Sequence, residues 1–144
     1  MNWKDDWLDG ILGFYGILDT SIGVGQVKIS TAKLMEEKGY MPVITAVKGG
    51  WDIPGIGFIN GTEQMAREKM LEKPETNIRY AAAYLAYYQD RWKEAYPEID
   101  GRTAILATLY NQEEKNPPHS NPIPNPFGDF AKDNYYYVCE LMGI

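Results

Sequence analysis

Cysteine is almost missing from this chain: Cys139 is the only one in 144 residues. No intrachain disulfide can form, and Tyr136, Val138 and Leu141 around it mark a core thiol. Histidine is as scarce. His119 stands alone, so no His/Cys metal cluster can be built and no Cys–His nucleophile pair has positional support. No apolar run reaches the length of about 18 residues that a membrane span needs. Basic charge is in deficit, with 14 Lys and Arg against 20 Asp and Glu and a formal charge of −6. No Lys/Arg stripe is available to neutralise phosphates, which argues against a nucleic-acid partner. The deficit also gives no long-range attraction to an anionic surface. The opening Met1-Asn-Trp-Lys-Asp-Asp6 lacks the basic-then-apolar layout of a signal peptide. Nothing in the composition calls for a metal or an organic cofactor.

Rings with a polar handle are plentiful: 11 Tyr and 4 Trp stand against 4 Phe. Such rings suit sugar faces and interfaces as well as cores. Trp51 and Tyr40 are of this kind, although packing is the commoner role for a single aromatic. Apolar residues at 44% and charged residues at 24% are ordinary for a soluble globular protein. The length suits a single domain, 1–144, with a real core.

Helical spacing dominates the chain. Asp5 to Leu12 reads as a short helix weakened by Gly10, followed by a loop through Gly13 and Gly16. Ser21 to Ala32 holds Gly23 and Gly25, the polar Gln26 and a short Val27/Ile29 alternation. Ser30 or Thr31 then caps a helix that stops at Gly39. Tyr40 to Val47 is ambiguous, and Gly49 to Gly57 reads as loop. Thr62 caps a helix from Glu63 to about Glu72, with Met65, Met70 and Leu71 inward and Glu63, Arg67, Glu68 and Lys69 outward. Pro74 opens the clearest helix, with an apolar stripe of Ile78, Ala81, Ala82, Leu85, Tyr88 and Trp92. Asp100 caps another helix, Gly101 to about Asn111. Lys115 to Phe127, with five prolines, is an extended surface loop. Asp129 starts the last helix, with Phe130, Tyr137, Val138 and Leu141 inward. The fold expected is therefore mainly α: an all-α or α-rich α+β single helical domain with one cleft and at most a short β element near Gly25 to Ile29.

Four segments, in order, resemble the soluble lytic transglycosylases and goose-type lysozymes. Gly23-Val-Gly-Gln-Val-Lys-Ile-Ser-Thr-Ala32 is similar to the family's Gly-Leu-Met-Gln segment. Pro74-Glu-Thr-Asn-Ile-Arg-Tyr-Ala-Ala-Ala-Tyr-Leu85 is similar to its Pro-x-x-Asn-Ile segment. Ala104-Ile-Leu-Ala-Thr-Leu-Tyr-Asn111 is similar to its Ala-Leu-Ala-Ala-Tyr-Asn segment. Phe130 to Val138 is similar to its closing helix. The resemblance implies a domain that cleaves the β-1,4 bond between N-acetylmuramic acid and N-acetylglucosamine of peptidoglycan, without a cofactor. Gly23, Gln26, Tyr110 and Asn111 would line the subsites, with Gln26 facing the sugar and Asn111 holding a substrate amide.

The family's reaction needs one protonated glutamic acid in an apolar pocket, upstream of the Gly-Gln segment. No Glu precedes Glu36. The expectation is an acid-bearing helix lost by truncation of an exported protein, with an extracytoplasmic full-length form. The rival is an Asp in its place. Asp6 is one candidate, although a surface charge at a helix start is the commoner role for Asp5, Asp6 and Asp9. Asp19 occupies the loop where goose-type enzymes place helper carboxylates, and equally suits an Asx-turn. Glu113, with Gln112, stands where the family has small residues; it is either a new acid or part of a solvated charge run. Two other functions compete: an inactive glycan-binding or assembly module, and an intracellular helical interaction domain. Fold alone does not choose between them.

Overall fold

The computed structural model describes residues 21–22, 25, 27–112 and 117–142. The chain divides into two compact units, one ending at Tyr84 and the other running from Leu85 onward.

The first unit opens with β1 (Ser21–Ile22) and β2 (Val27–Lys28), an antiparallel pair with Ile22 opposite Val27. Helix α1 (Ile29–Glu37) follows at once. Its N-cap is Lys28, still extended and without a side-chain capping bond. Ser30 and Thr31, expected as caps, lie inside the helix because α1 begins where strand pairing ends. The stop is as expected. Gly39 has φ of +82°, and the amides of Gly39 and Tyr40 turn back to the carbonyls of Glu36 and Met35.

The expected mainly helical fold with at most a short β element is corrected here. Strands β3 (Thr45–Val47), β4 (Gly50–Ile53) and β5 (Gly57–Asn60) form a three-stranded antiparallel sheet in that order. The domain is an α+β mixture. The glycines that suggested a loop are its turns. Val47 pairs with Gly50 across Lys48-Gly49, and Gly49 has φ of +82°. Ile53-Pro-Gly-Ile56 closes the second hairpin. Pro54 sits before Gly55 at φ +80°, and the Ile56 amide donates to the Ile53 carbonyl at 3.0 Å, which is a type II turn.

Helix α2 (Glu63–Leu71) is capped as expected: Thr62 Oγ1 accepts from the Met65 amide at 3.2 Å. Its inward face differs. Met65 is exposed, whereas Arg67 is buried beside Ala66, Met70 and Leu71. Helix α3 (Pro74–Trp92) has the expected extent. Its buried stripe is Asn77, Tyr80, Tyr84, Tyr87, Tyr88 and Trp92, and Ile78 and Ala82 face solvent instead. The tyrosines bury their ring area, so the stripe follows aromatic rather than aliphatic residues.

In the second unit a 3₁₀ turn, Pro97–Ile99, precedes α4 (Thr103–Gln112). Gly101, at φ +78°, separates the two, so Asp100 does not cap α4. Helix α5 (Pro126–Met142) packs against α4. It starts ahead of the expected Asp129 because Asn125 caps it and Pro126 takes its first position. Phe130, expected inward, is exposed, and Phe127, expected in the loop, is buried in the first turn of the helix. Residues 117–125 form no helix or strand, as the prolines require. The helix expected over 5–12 lies outside the described residues, as do the side chains of 136–142.

Candidate functional site

The Gly-Gln segment and the Pro-x-x-Asn-Ile segment meet at one side chain in the first unit. Asn77 is completely buried. Its Oδ1 accepts from the Gly25 amide at 2.6 Å. Its Nδ2 donates to the Ile22 carbonyl at 2.6 Å and to the Leu71 carbonyl at 2.9 Å. One carboxamide thus ties the loop between β1 and β2 to the end of α2 and the start of α3. The approach is close. A Cβ on residue 25 would lie 2.7 Å from Asn77 Oδ1 and 2.8 Å from the Ala81 Cβ, so only glycine fits.

Behind this loop, α1 and α2 are joined by a buried ion pair. Arg67 Nε donates to Glu36 Oε2 at 2.9 Å, and Nη2 donates to Oε1 at 3.0 Å. Oε1 also accepts from the Ile44 amide at 3.1 Å, and Oε2 from the Tyr80 hydroxyl at 3.3 Å. Glu36 therefore carries four donors, which suits a structural carboxylate. Burial works against the Arg67 charge, but the bonds to Glu36 and Glu63 outweigh it and push its pKa up. Burial, then the Glu36 charge, pushes the Tyr80 phenol up as well.

On the outer side of Arg67 lies an open groove of about 460 Å³, lined by Lys28, Ser30, Lys33, Glu63, Gln64 and Glu68 among others. Arg67 Nη1 donates to Glu63, and Lys33 Nζ lies 3.7 Å from the same carboxylate. The Arg67 hydrogen bond, helped by both positive charges, holds the Glu63 carboxyl below the usual range. At neutral pH Glu63 is a carboxylate and cannot serve as an acid.

The second unit holds the other two expected subsite residues. Tyr110 and Asn111 are half-buried on the last turn of α4. Asn111 Oδ1 accepts from Asn125 Nδ2 at 2.7 Å. Asn125 Oδ1 accepts from the Gly128 amide at 2.9 Å, and the Asn125 amide donates to Thr108 Oγ1 at 3.0 Å. The Thr108 hydroxyl donates to the Ala104 carbonyl at 2.7 Å. Asn111 is thus held in place by the capping group of α5, with its own amide nitrogen as its remaining donor. Gly128 lies so close to the Ala104 carbonyl and Thr108 Oγ1 that a Cβ would overlap both.

Asp6, Asp19, Glu113, Gly23 and Gln26 lie outside the described residues. Among the described residues, no three His, Cys, Asp or Glu side chains gather as a metal site. Trp51 is half-buried on β4 and Tyr40 half-buried after α1. Sequence reasoning missed Arg67, Thr108 and Asn125. Arg67 stands four residues after Glu63, a spacing that reads as a surface pair. Asn125 before Pro126 is a capping signal, obscured by the prolines around it. No protein-family model matches this chain, and no curated protein or solved structure matches it.

Proposed function

We propose that this chain is a peptidoglycan-acting domain similar to the soluble lytic transglycosylases and goose-type lysozymes, directed at the bond between N-acetylmuramic acid and N-acetylglucosamine. The carrying observation is the bond from the Gly25 amide to Asn77 Oδ1, 52 residues apart in the chain. It joins two of the four segments that carry the resemblance, at a point where a side chain on residue 25 is excluded. The half-buried Asn111, aligned by Asn125, supports the same reading, because a carboxamide fixed by one neighbour is pre-organised to donate to a substrate carbonyl.

The chemistry asks for a protonated acid beside the glycosidic oxygen. Neither Glu36, saturated by donors, nor Glu63, held ionised by Arg67, fits that task. The acid is either absent from this chain or falls to one of the candidates Asp6, Asp19 and Glu113. Peptidoglycan as substrate would place the full-length protein outside the cytoplasm. Among the described residues, no helix is long and apolar enough to cross a membrane.

The test is incubation of the purified chain with peptidoglycan, followed by mass spectrometry of the released muropeptides. Anhydro-muramyl products identify a transglycosylase; reducing-end products identify a lysozyme and point to Asp19. Capture on peptidoglycan without cleavage leaves a binding module. The absence of both cleavage and capture rejects the glycan reading in favour of a protein-interaction domain.

A further inference from the structure

The chain carries six methionines. Met35 and Met70 lie in the core at 0% and 1% exposure, whereas Met65 is 45% exposed. Its side chain does not simply extend into water. A Cβ placed on Gly61 would lie 3.0 Å from Met65 Cε and 3.1 Å from Sδ, so the thioether folds back onto the Gly61 backbone. Gly61 has φ of +114° and no side chain to hold the sulfur off. One flank of the thioether is thus covered by backbone, and the other faces solvent.

The same few residues form the joint between β5 and α2. The Gly61 amide donates to the Gly49 carbonyl at 3.3 Å. The Met65 amide donates to Thr62 Oγ1 at 3.2 Å, the cap of α2. The Met65 side chain lies over the turn between these two bonds. A thioether suits bare backbone because it is apolar, soft and adaptable. A sulfoxide is polar and pyramidal, so it gives up that contact for water.

We propose that Met65 is an oxidation site for small hydroperoxides, at which the fold selects one sulfoxide epimer and the product loosens the joint between β5 and α2. A lone pair on Sδ attacks one peroxide oxygen. The S–O bond forms as the O–O bond breaks. The departing oxygen takes the proton from the transferred one and leaves as water or an alcohol. Sulfur is oxidised by two electrons and the peroxide is reduced by two. The two lone pairs are stereochemically distinct and the covered one is out of reach, so one epimer predominates. Each epimer has its own reductase, which makes the modification reversible. This inference does not rest on the glycan reading.

The full folded chain is treated with hydrogen peroxide at neutral pH, digested and read by mass spectrometry. Met65 should oxidise at least about ten-fold faster than Met35 or Met70, a ratio that closes in urea. The epimeric Met65 peptides, separated by chromatography and assigned with the two epimer-specific reductases, should be unequal from the folded chain and equal from the unfolded one. The oxidised chain should melt about 3 °C lower than the untreated one. Met65→Leu keeps the apolar contact without an oxidisable sulfur, and should show less than half of that loss on the same treatment. Met35 or Met70 oxidising as fast as Met65 in the folded chain, equal epimers from the folded chain, or an equal melting loss in Met65→Leu overturns the proposal.

Discussion

Arg67 and Glu36 meet as a bidentate pair, with contacts of 2.9 and 3.0 Å, and both side chains are at least nine-tenths buried. Such a pair is costly to break from one side, because the remaining charge stays buried without a partner. Arg67→Met should destabilise the protein by about 3–5 kcal/mol. Glu36→Leu combined with Arg67→Met should recover much of that loss. Urea unfolding of the two variants measures both effects. Equal losses in the single and double variants would remove the ion pair from the account.

The same cluster makes stability depend on pH. The Glu63 carboxyl is held below its ordinary 4.5 by the Arg67 hydrogen bond and the nearby positive charges. Its contribution is present above pH 4.5 and is lost as the pH falls through the lowered value. The Tyr80 phenol is held above its ordinary 10.0 by burial and by Glu36. Above pH 10 the unfolded chain sheds that proton first, so stability declines as pH rises. Thermal melts across pH should show a flatter acid limb in Glu63→Gln and a flatter alkaline limb in Tyr80→Phe.

Asn77→Ala would leave the Gly25 amide and the Ile22 and Leu71 carbonyls without their shared partner. The expected cost is at least about 3 kcal/mol, since each stranded buried group costs roughly 1–3 kcal/mol. Gly25→Ala should act on the same junction from the other side, by overlap with Asn77 and Ala81. If the junction supports glycan recognition, both variants should lose capture on peptidoglycan under conditions where circular dichroism still shows a folded chain. Full capture by a folded Asn77→Ala variant would sever that link.

Asn125 performs two tasks that substitution can separate. Asn125→Ala removes the acceptor for the Gly128 amide and should cost about 1 kcal/mol, as for other lost caps. Asn125→Asp keeps the acceptor but cannot donate to Asn111. It should retain most of the stability while weakening substrate capture if Asn111 must be held in position. Denaturation and pull-down on the same two variants decide between these roles.

The legible parts of the fold were those written in consecutive residues. Thr62 before Glu63 and Gly39 after Lys38 mark true helix boundaries, because capping acts within one turn. The sheet was hidden by the glycines that make its hairpins possible. Gly49 and Gly55 look like loop composition until the pairing of Val47 with Gly50 and Ile53 with Gly57 is known. Arg67 was read as solvated because charge normally signals exposure, and nothing near it in sequence announces Glu36 as its partner. Asn77 fell in place by resemblance alone. Its bond to Gly25 depends on a contact that no local pattern encodes. Asp6, Asp19, Glu113, Gly23 and Gln26 lie outside the described positions; the described candidates are Asn77 with Gly25 in the first unit and Asn111 in the second.

The sheet that emerged between α1 and α2 also bears on how the protein behaves at high concentration. Strand β3 is one of its two outer strands, all three of its residues are exposed, and among the described residues nothing pairs with its far side. An open edge of this kind is a template for another chain. Here the template is short, confined between Pro42 and the Lys48-Gly49 turn. A docking strand would gain few backbone bonds and would meet Lys48 at the end of its run. The chain can thus carry an uncovered edge in a concentrated preparation. Lengthening β3 by replacing Pro42 with a β-branched residue would be the shortest route to sheet-mediated self-association.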